Sequence, residues 1–347
     1  MTSNILQMRD GFPHFVLHEE PPHTPQLPNC VCVEMINVLL SNNELNVLNK
    51  TKNIPEGTIL GGVGIGRVIK VGTDFLSSPH GIDVGSIVVV GSKIPCLECP
   101  SCHKQRWEDC KDPKISGVHT NGVAASQVWR HVGSLTALDV NPQVESVRQF
   151  LLHEVVSTGI WLSAQDFITK DTVVGIVGRS FITNILKSVI EDLSSVEVVS
   201  IQQSLASGGV GRFDVIVDCD GETLLPEDVR KLIRPGGVLA HSYTGARASF
   251  LDQATSASPL KQVELRTGPS FLAVEWITQN PQTFKEMGAA FDFSPNGLQS
   301  LLKNEGLRET HGFLYFDMRP QWTQWSNSDQ GVVLQQEALN IPEQLVT

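Results

Sequence analysis

The chain has 347 residues, of which 41% are hydrophobic and 18% are charged, and this composition excludes collagen-like, low-complexity and disordered chains. It carries 26 Lys and Arg residues against 37 Asp and Glu residues, a formal net charge of −11, and contains no basic stripe. This charge argues against nucleic acids and anionic membranes as partners and leaves small molecules and proteins. A chain of this length is expected to form two domains.

The apolar runs are too short to span a bilayer, and the first residues, MTSNILQMRDGF, lack the basic and apolar regions of a secretory signal. We therefore expect a cytoplasmic protein. The chain has seven cysteines, and four of them lie between Cys96 and Cys110. This crowding favours a metal site over a disulfide framework.

Short apolar strands separated by Gly and Pro turns are predicted in the first half of the chain, and they indicate a small, mostly β domain over residues 1–150. These strands are CVCVEMINVLL, GIGRVIKVG, GSIVVVGS and ASQVWRHV.

Strands alternate with helices after about residue 145, which predicts an α/β domain with a parallel, doubly wound sheet. The predicted helices are 147–166, SFITNILKSVIEDLSS and LLPEDVRKLI, and the predicted strands are TVVGIVG, VEVVSI, FDVIVDCDG and GGVLAHSY. The tail over residues 321–347 has no clear pattern.

Four cysteines in PCLECPSCHKQRWEDC carry the strongest chemical signal in the sequence. Their spacing, C-x2-C-x2-C-x7-C, allows four thiolates from one loop to surround a tetrahedral zinc ion with no open position, which is typical of a structural site. A four-iron cluster also uses four cysteines, but it often includes more distant ligands and a Pro after the last one, whereas Lys111 follows here. We therefore predict zinc, held by Cys96, Cys99, Cys102 and Cys110.

The sequence around these cysteines resembles the medium-chain dehydrogenase/reductase superfamily, on its zinc alcohol, polyol and threonine dehydrogenase branch. The cysteines match its structural zinc lobe, here residues 93–113, and ILGGVGIGRVIKVG, STGIW, FDVIVDCDG and IRPGGVLAHSY match further segments, over about residues 25–320. The resemblance implies a GroES-like domain over 1–150, a Rossmann-type cofactor domain over 151–290, and a return to the first domain over 291–320. It also implies a homodimer or homotetramer.

Members of this branch hold a catalytic zinc ion through a Cys, a His and a later Cys or Glu. In the matching register this chain has Ser41 in place of the Cys and Gly62 in place of the His, and Glu154 is the remaining ligand. A hydroxyl and one carboxylate cannot hold zinc with the affinity of a thiolate and an imidazole. We therefore expect one zinc ion per chain, the structural ion.

Relatives without the catalytic zinc ion reduce enones or quinones, for which a hydrogen-bond donor near the developing enolate suffices. The matching register provides Ser41, Asn43, His241 and Tyr243 as candidate donors and Glu154 as a candidate acid–base group. Loop capping is the alternative role of Ser41 and Asn43. Glu154 could equally belong to a buried or a solvated pair at the start of a helix.

TVVGIVG followed by RSFITN fits the strand, glycine-rich turn and helix of a dinucleotide fingerprint. Gly178 keeps the first glycine, whereas Ser180 and Thr183 replace the second and third. No acidic residue for the ribose diol follows the next strand, and the short distance from there to FDVIVDCDG predicts a shortened sheet. The candidate cofactor-binding residues are Gly178, Arg179, Ser180, Thr183, Ser200 and Gln202.

The sequence thus predicts an NAD(P)H-dependent, zinc-independent oxidoreductase that acts on a small activated carbonyl or alkene. The alternative is a redox-inactive member that serves as a binding or scaffold subunit or catalyses a non-redox reaction. The polar residues kept at the catalytic positions favour the enzyme. The lost zinc ligands argue against a conventional zinc alcohol dehydrogenase.

Overall fold

The computed structural model divides the chain into two compact units. Unit 1 contains Met1–Leu151 and Glu286–Thr347, and unit 2 contains Leu152–Lys285. The residues that the structure describes are 3–10, 12–18, 29–40, 54–72, 81–140, 147–178, 180–201, 211–219, 231–241, 261–285, 287–303 and 313–318.

Unit 1 is mainly β-structure. Its strands, numbered in chain order across both units, are β1 (Ser3–Arg9), β2 (Phe12–His18), β3 (Cys30–Leu40), β4 (Gly64–Val71), β5 (Ile87–Val90), β6 (Lys93–Ile94), β7 (Lys114–Ile115), β8 (Gln127–His131), β9 (Leu135–Leu138), β15 (Ala289–Asp292) and β16 (Leu314–Asp317). The main sheet has the order β15-β16-β3-β4-β5-β9, and β8 pairs with β3. β1 and β2 form a separate antiparallel pair, as do β6 and β7.

Strand β3 organises the main sheet, because it pairs with β4, β8 and β16. Val33 and Met35 alternate into the core, and a register irregularity after Met35 brings Val38 into the same core. On β4, a Cβ atom at Gly66 would lie 2.5 Å from the carbonyl oxygen of Glu34. The two strands can therefore approach each other only because residue 66 is Gly.

The C-terminal part of unit 1 completes the sheet. β15 is followed by helix α5 (Pro295–Lys303), and β16 then pairs parallel with β15 and antiparallel with β3. Phe316 packs edge-to-face against Phe15 and Phe293, with ring centroids 6.3 and 5.3 Å away. These aromatic contacts join the C-terminal strand to the core of the N-terminal segment.

Unit 2 alternates strands and helices, as the sequence predicts. Its described helices are α2 (His153–Ser163), α3 (Ser180–Ser194) and α4 (Ser270–Gln279), and its strands are β10 (Val173–Val177), β11 (Glu197–Ser200), β12 (Phe213–Asp218), β13 (Ile233–His241) and β14 (Lys261–Glu264). The predicted helix LLPEDVRKLI lies largely outside the described residues. The α/β fold class is confirmed.

The sheet of unit 2 is parallel throughout, in the order β11-β10-β12-β13-β14. The strand order reverses between β10 and β12, and this reversal marks the switch point where ligands bind in open α/β sheets. Only residues 201–212 separate β11 from β12. Among the described residues no strand stands beyond β11, so the sheet is short on that side.

Each face of this sheet carries its own apolar cluster. Val174, Val215 and Ala240 pack with Leu162 of α2 and Leu186 of α3 on one face. The opposite face carries Val177, Ile216 and Leu239 with Ile201. None of the described helices is both long and apolar enough to cross a membrane.

Candidate metal centre and candidate active site

The four predicted metal ligands meet in the lobe between β6 and β7. The Sγ atoms of Cys96, Cys99, Cys102 and Cys110 all lie within 4.8 Å of one another. Cys99 is the N-cap of the short helix α1 (Pro100–His103), which begins with Pro at its first position and carries Cys102. The local fold therefore brings together ligands that are up to 14 residues apart in the chain.

Backbone amides in the lobe point at the sulfur atoms. The N–H of Cys96 donates to Sγ of Cys110 at 3.3 Å, and N–H donors of Lys111 and Cys102 lower the pKa of Cys99 to about 6. Burial raises the pKa of Cys102 to about 12. Four such thiols cannot all ionise without a cation, and an all-thiolate donor set fits zinc.

The lobe is attached to the β domain through an aromatic contact. Trp107 packs edge-to-face on His131, with ring centroids 5.5 Å apart. A Cβ atom at Gly133 would lie 2.6 Å from the indole ring, so only Gly allows this approach. The N–H of Gly133 also donates to Nδ1 of His131 at 3.0 Å, which orients the imidazole.

Acidification is expected to weaken this attachment. Burial lowers the pKa of His131 below its ordinary value of 6.5, so below about pH 6.5 the unfolded chain binds a proton more readily than the folded chain. The free energy of unfolding should therefore fall as the pH drops through this window. His131→Phe keeps the aromatic contact and should show a smaller loss between about pH 7.5 and about pH 5.5 in urea unfolding. Equal losses in both proteins would contradict this role.

A buried arginine connects the segments around residue 61, and sequence reasoning missed it. Arg130 donates to the carbonyl oxygens of Trp129 and Asn121, both at 2.9 Å, and to Oγ of Ser116 at 3.3 Å. Ser116 in turn donates to the carbonyl oxygen of Gly61 at 3.2 Å. Burial lowers the pKa of Arg130 to about 10, which still leaves it cationic at neutral pH. The only sequence signal was a charged residue inside the apolar strand segment VWRHV.

This network fixes the turn Gly61–Val63, in which Gly62 stands in place of the family's zinc-binding His. Gly61 has a φ of 93°, and a Cβ atom there would lie 2.8 Å from the backbone nitrogen of Ala124. Gly62 and Val63 are buried, and the carbonyl oxygen of Val63 accepts from the N–H of Leu39 at 2.9 Å. The turn therefore presents backbone and a valine, and no side chain of Gly61–Val63 can bind a metal ion.

The glycine turn of unit 2 lies between β10 and α3. Gly178 has a φ of 150° and follows Val177, whose carbonyl oxygen accepts from the N–H of Cys219 at 3.0 Å. Thr183 is only 4% exposed, at the third fingerprint position on α3. Ser200 ends β11 and is half-buried. Arg179 and Gln202 lie outside the described residues, as does the side chain of Ser180.

The candidate catalytic residues are distributed over both units. Glu154 is half-buried in the first turn of α2, and His241 is the last residue of β13. Ser41, Asn43 and Tyr243 lie outside the described residues. The structure therefore positions two of the five candidates.

Comparison with known proteins extends over both units. Residues 28–139 match the alcohol dehydrogenase GroES-like domain. L-threonine 3-dehydrogenase of Pyrococcus abyssi is 28% identical over 119 residues, which are 31% of this chain and 33% of that protein. The enzyme of the same name from Pyrococcus furiosus is 34% identical over 80 residues, 21% of this chain and 22% of that protein. The chain thus aligns with about a third or less of these relatives.

Solved structures match nearly the whole chain. An oxidoreductase/dehydrogenase of unknown specificity from Escherichia coli has a TM-score of 0.69 at 15% identity and covers 91% of this chain and 99% of its own. CAD from Helicobacter pylori, complexed with NADP(H), has a TM-score of 0.67 at 16% identity, with 91% and 98% coverage. At such identity the likeness establishes the fold alone.

A GroES-like domain with a four-cysteine lobe, joined to a parallel α/β sheet, defines the zinc-type dehydrogenase fold. The match over residues 28–139 and the threonine dehydrogenase relatives support a divergent position on the zinc-type alcohol dehydrogenase branch of the medium-chain dehydrogenase/reductase superfamily. The family prediction from the sequence is confirmed.

Proposed function

We propose that the chain is an NAD(P)H-dependent oxidoreductase that reduces a small activated carbonyl or alkene without a catalytic zinc ion. One observation carries this proposal: the turn Gly61–Val63 offers no metal-binding side chain, while unit 2 keeps the parallel sheet and its glycine turn. A zinc ion polarises the carbonyl in alcohol oxidation, so its loss favours substrates that are already activated.

The proposed reaction balances with one hydride and one proton. A reduced nicotinamide, when bound, would supply a hydride with its two electrons to the electron-poor carbon of the substrate and would itself be oxidised. A side chain supplies the proton, so the products are the oxidised cofactor and a saturated carbonyl compound or an alcohol. The chain has to orient the substrate, stabilise negative charge on its oxygen and provide that proton.

His241 and Glu154 are the described residues to which we assign these tasks. His241 ends β13 at the carboxyl edge of the sheet, where a hydrogen-bond donor can stabilise an enolate oxygen. Glu154, in the first turn of α2, is the acid–base group. We propose Ser41, Asn43 and Tyr243 as further donors only because they match the catalytic positions of the family in the sequence. The family resemblance implies a homodimer or a homotetramer, and we propose this assembly for the chain.

One feature of unit 2 argues for cofactor binding, and another argues against it. A helix N-terminus that follows a strand and a glycine turn can bind a phosphate, and the order β10, Gly178, α3 supports cofactor binding, as do related structures complexed with NADH or NADP(H). The short sheet beside β11 removes part of the wall that an adenosine uses. This second observation favours a redox-inactive, ligand-binding or scaffold protein as the alternative function.

Titration with NADH and NADPH distinguishes the two functions. We expect binding of both cofactors, weaker than about micromolar and with little preference, because the acidic residue for the ribose diol and two fingerprint glycines are absent. Quenching of tryptophan fluorescence measures both dissociation constants, and a panel of enones, quinones and aldehydes then tests turnover. Failure to bind either cofactor would contradict the oxidoreductase proposal. A sub-micromolar dissociation constant for NADH would contradict the expected weakness.

A further inference from the structure

Three adjacent strands of unit 2 end in residues that can exchange protons. Asp218, His241 and Glu264 are the last residues of β12, β13 and β14. Asp218 pairs in register with His241, and His241 pairs with Glu264. Neighbouring strands lie about 4.8 Å apart, and side chains at paired positions stand on the same face of the sheet. The register therefore places His241 between two acidic residues on one face of the sheet.

Burial distinguishes the two acidic neighbours. Asp218 is 0% exposed and His241 is 6% exposed, whereas Glu264 is exposed to solvent. Their face of the sheet is otherwise apolar near the edge, with Val177, Ile216 and Leu239. A buried carboxyl group and a buried imidazole both need polar partners, because an unpaired polar group in the interior is unfavourable.

Two described arginines of this sheet form ion pairs at its amino edge. Arg212 binds Glu197 at 3.0 Å and Arg234 binds Asp214 at 2.7 Å, and these four residues lie at or near the amino ends of their strands. Asp218 and His241 lie at the carboxyl ends. His241 is the described basic residue that stands in register with Asp218.

The backbone around the pair is fixed on both sides. Hydrogen bonds continue past the strand ends, from the N–H of Cys219 to the carbonyl oxygen of Val177 at 3.0 Å and from the N–H of Leu265 to that of His241 at 2.8 Å. Val177, which precedes the glycine turn, is the register partner of Asp218. The pair therefore stands beside the switch point of the sheet, where ligands bind.

We propose that Asp218 is a positioning residue, which accepts a hydrogen bond from one ring nitrogen of His241 and so directs the other N–H toward a bound ligand. A carboxylate beside an imidazole selects one tautomer and favours the protonated ring. His241 then presents a fixed donor to an electron-rich oxygen of a carbonyl-containing substrate. The substrate's part in this inference rests on the proposed function, whereas the pairing does not.

Nitrogen-detected NMR of the full chain, labelled at histidine, tests the pairing without substrate. The signal that disappears in His241→Gln is that of His241. In the wild-type protein, this signal should show a single tautomer of the imidazole. Asp218→Asn should lower the pH at which His241 titrates by about one unit, because a neighbouring carboxylate stabilises the imidazolium. Asp214→Asn is the matched control on the same strand, in an ion pair at its other end, and should leave this titration unchanged.

Two results would overturn the pairing. One is a wild-type His241 that exchanges between both tautomers, which can be measured even if the variants do not fold. The other is a titration that is the same in wild type and folded Asp218→Asn. A fixed tautomer in a protein that binds neither NADH nor NADPH would support the pairing and contradict the proposed function alone. With a substrate in hand, Asp218→Asn should lower kcat about tenfold or more while KM changes little.

Discussion

Replacement of Cys99 by Ser is expected to release the zinc ion and to lower the melting temperature of the chain. The wild-type lobe should hold one zinc ion through four thiolates, and structural zinc binding is worth about 10 kcal/mol or more in small domains. A hydroxyl in place of one thiolate leaves three strong donors, so zinc affinity should fall by about two orders of magnitude or more. Elemental analysis and competition with a chromogenic chelator measure zinc content and affinity.

Cys219→Ser is the matched control, because Cys219 is a half-buried thiol of unit 2, whereas the lobe belongs to unit 1. This variant should keep its zinc ion. If Cys99→Ser retained both its zinc and its melting temperature, the assignment of the lobe would be wrong. Two tightly held zinc ions in the wild-type chain would contradict the proposed absence of a catalytic ion.

The change Glu154→Gln is expected to reduce turnover by about two orders of magnitude while the fold stays intact. The amide cannot donate or accept the proton that completes the reduction, whereas its size matches that of the carboxyl group. Steady-state kinetics with a substrate found in the panel measures the effect, and circular dichroism checks the fold. In a scaffold protein the same change should leave partner binding untouched.

Glu275→Gln serves as the control for Glu154→Gln, since Glu275 is an exposed residue on helix α4. Its turnover should equal that of the wild type. Full activity in Glu154→Gln would exclude Glu154 as the acid–base group. The proton would then have to come from another candidate, with His241 and Tyr243 first in order.

The sequence predicted those features whose residues lie close together in the chain, namely the cysteine cluster and the strands of unit 2. The cysteine spacing confines four ligands to one loop, so the cluster followed from the sequence without knowledge of any distant contact. The strands of unit 2 followed from short apolar runs such as TVVGIVG, because a strand buried on both faces needs continuous apolar residues. The prediction of a shortened sheet came from the small number of residues between β11 and β12, and among the described residues β11 is the edge strand.

Features that depend on strand register did not follow from the sequence. His241 was a candidate donor from the family register, but Asp218, on another strand, was not associated with it. Their proximity exists only because β12 and β13 pair in parallel with these two residues opposite each other. The role of Arg130 was missed for the same reason, since two of its acceptors, on Ser116 and Asn121, lie on segments that the sequence does not connect with β8.

The buried Arg130 network also constrains how this chain can diverge. Loss of the guanidinium alone would remove a donor from the carbonyl oxygen of Asn121 and leave the Ser116 hydroxyl with its bond to Gly61 only. Loss of Ser116 alone would remove one of the acceptors that bind the buried cation. Each single substitution should therefore lower the stability of the fold, even if the double replacement by apolar residues does not. Residues 116 and 130 should therefore change together during evolution, as a pair of correlated positions, and descendants of this chain should carry either both polar residues or neither.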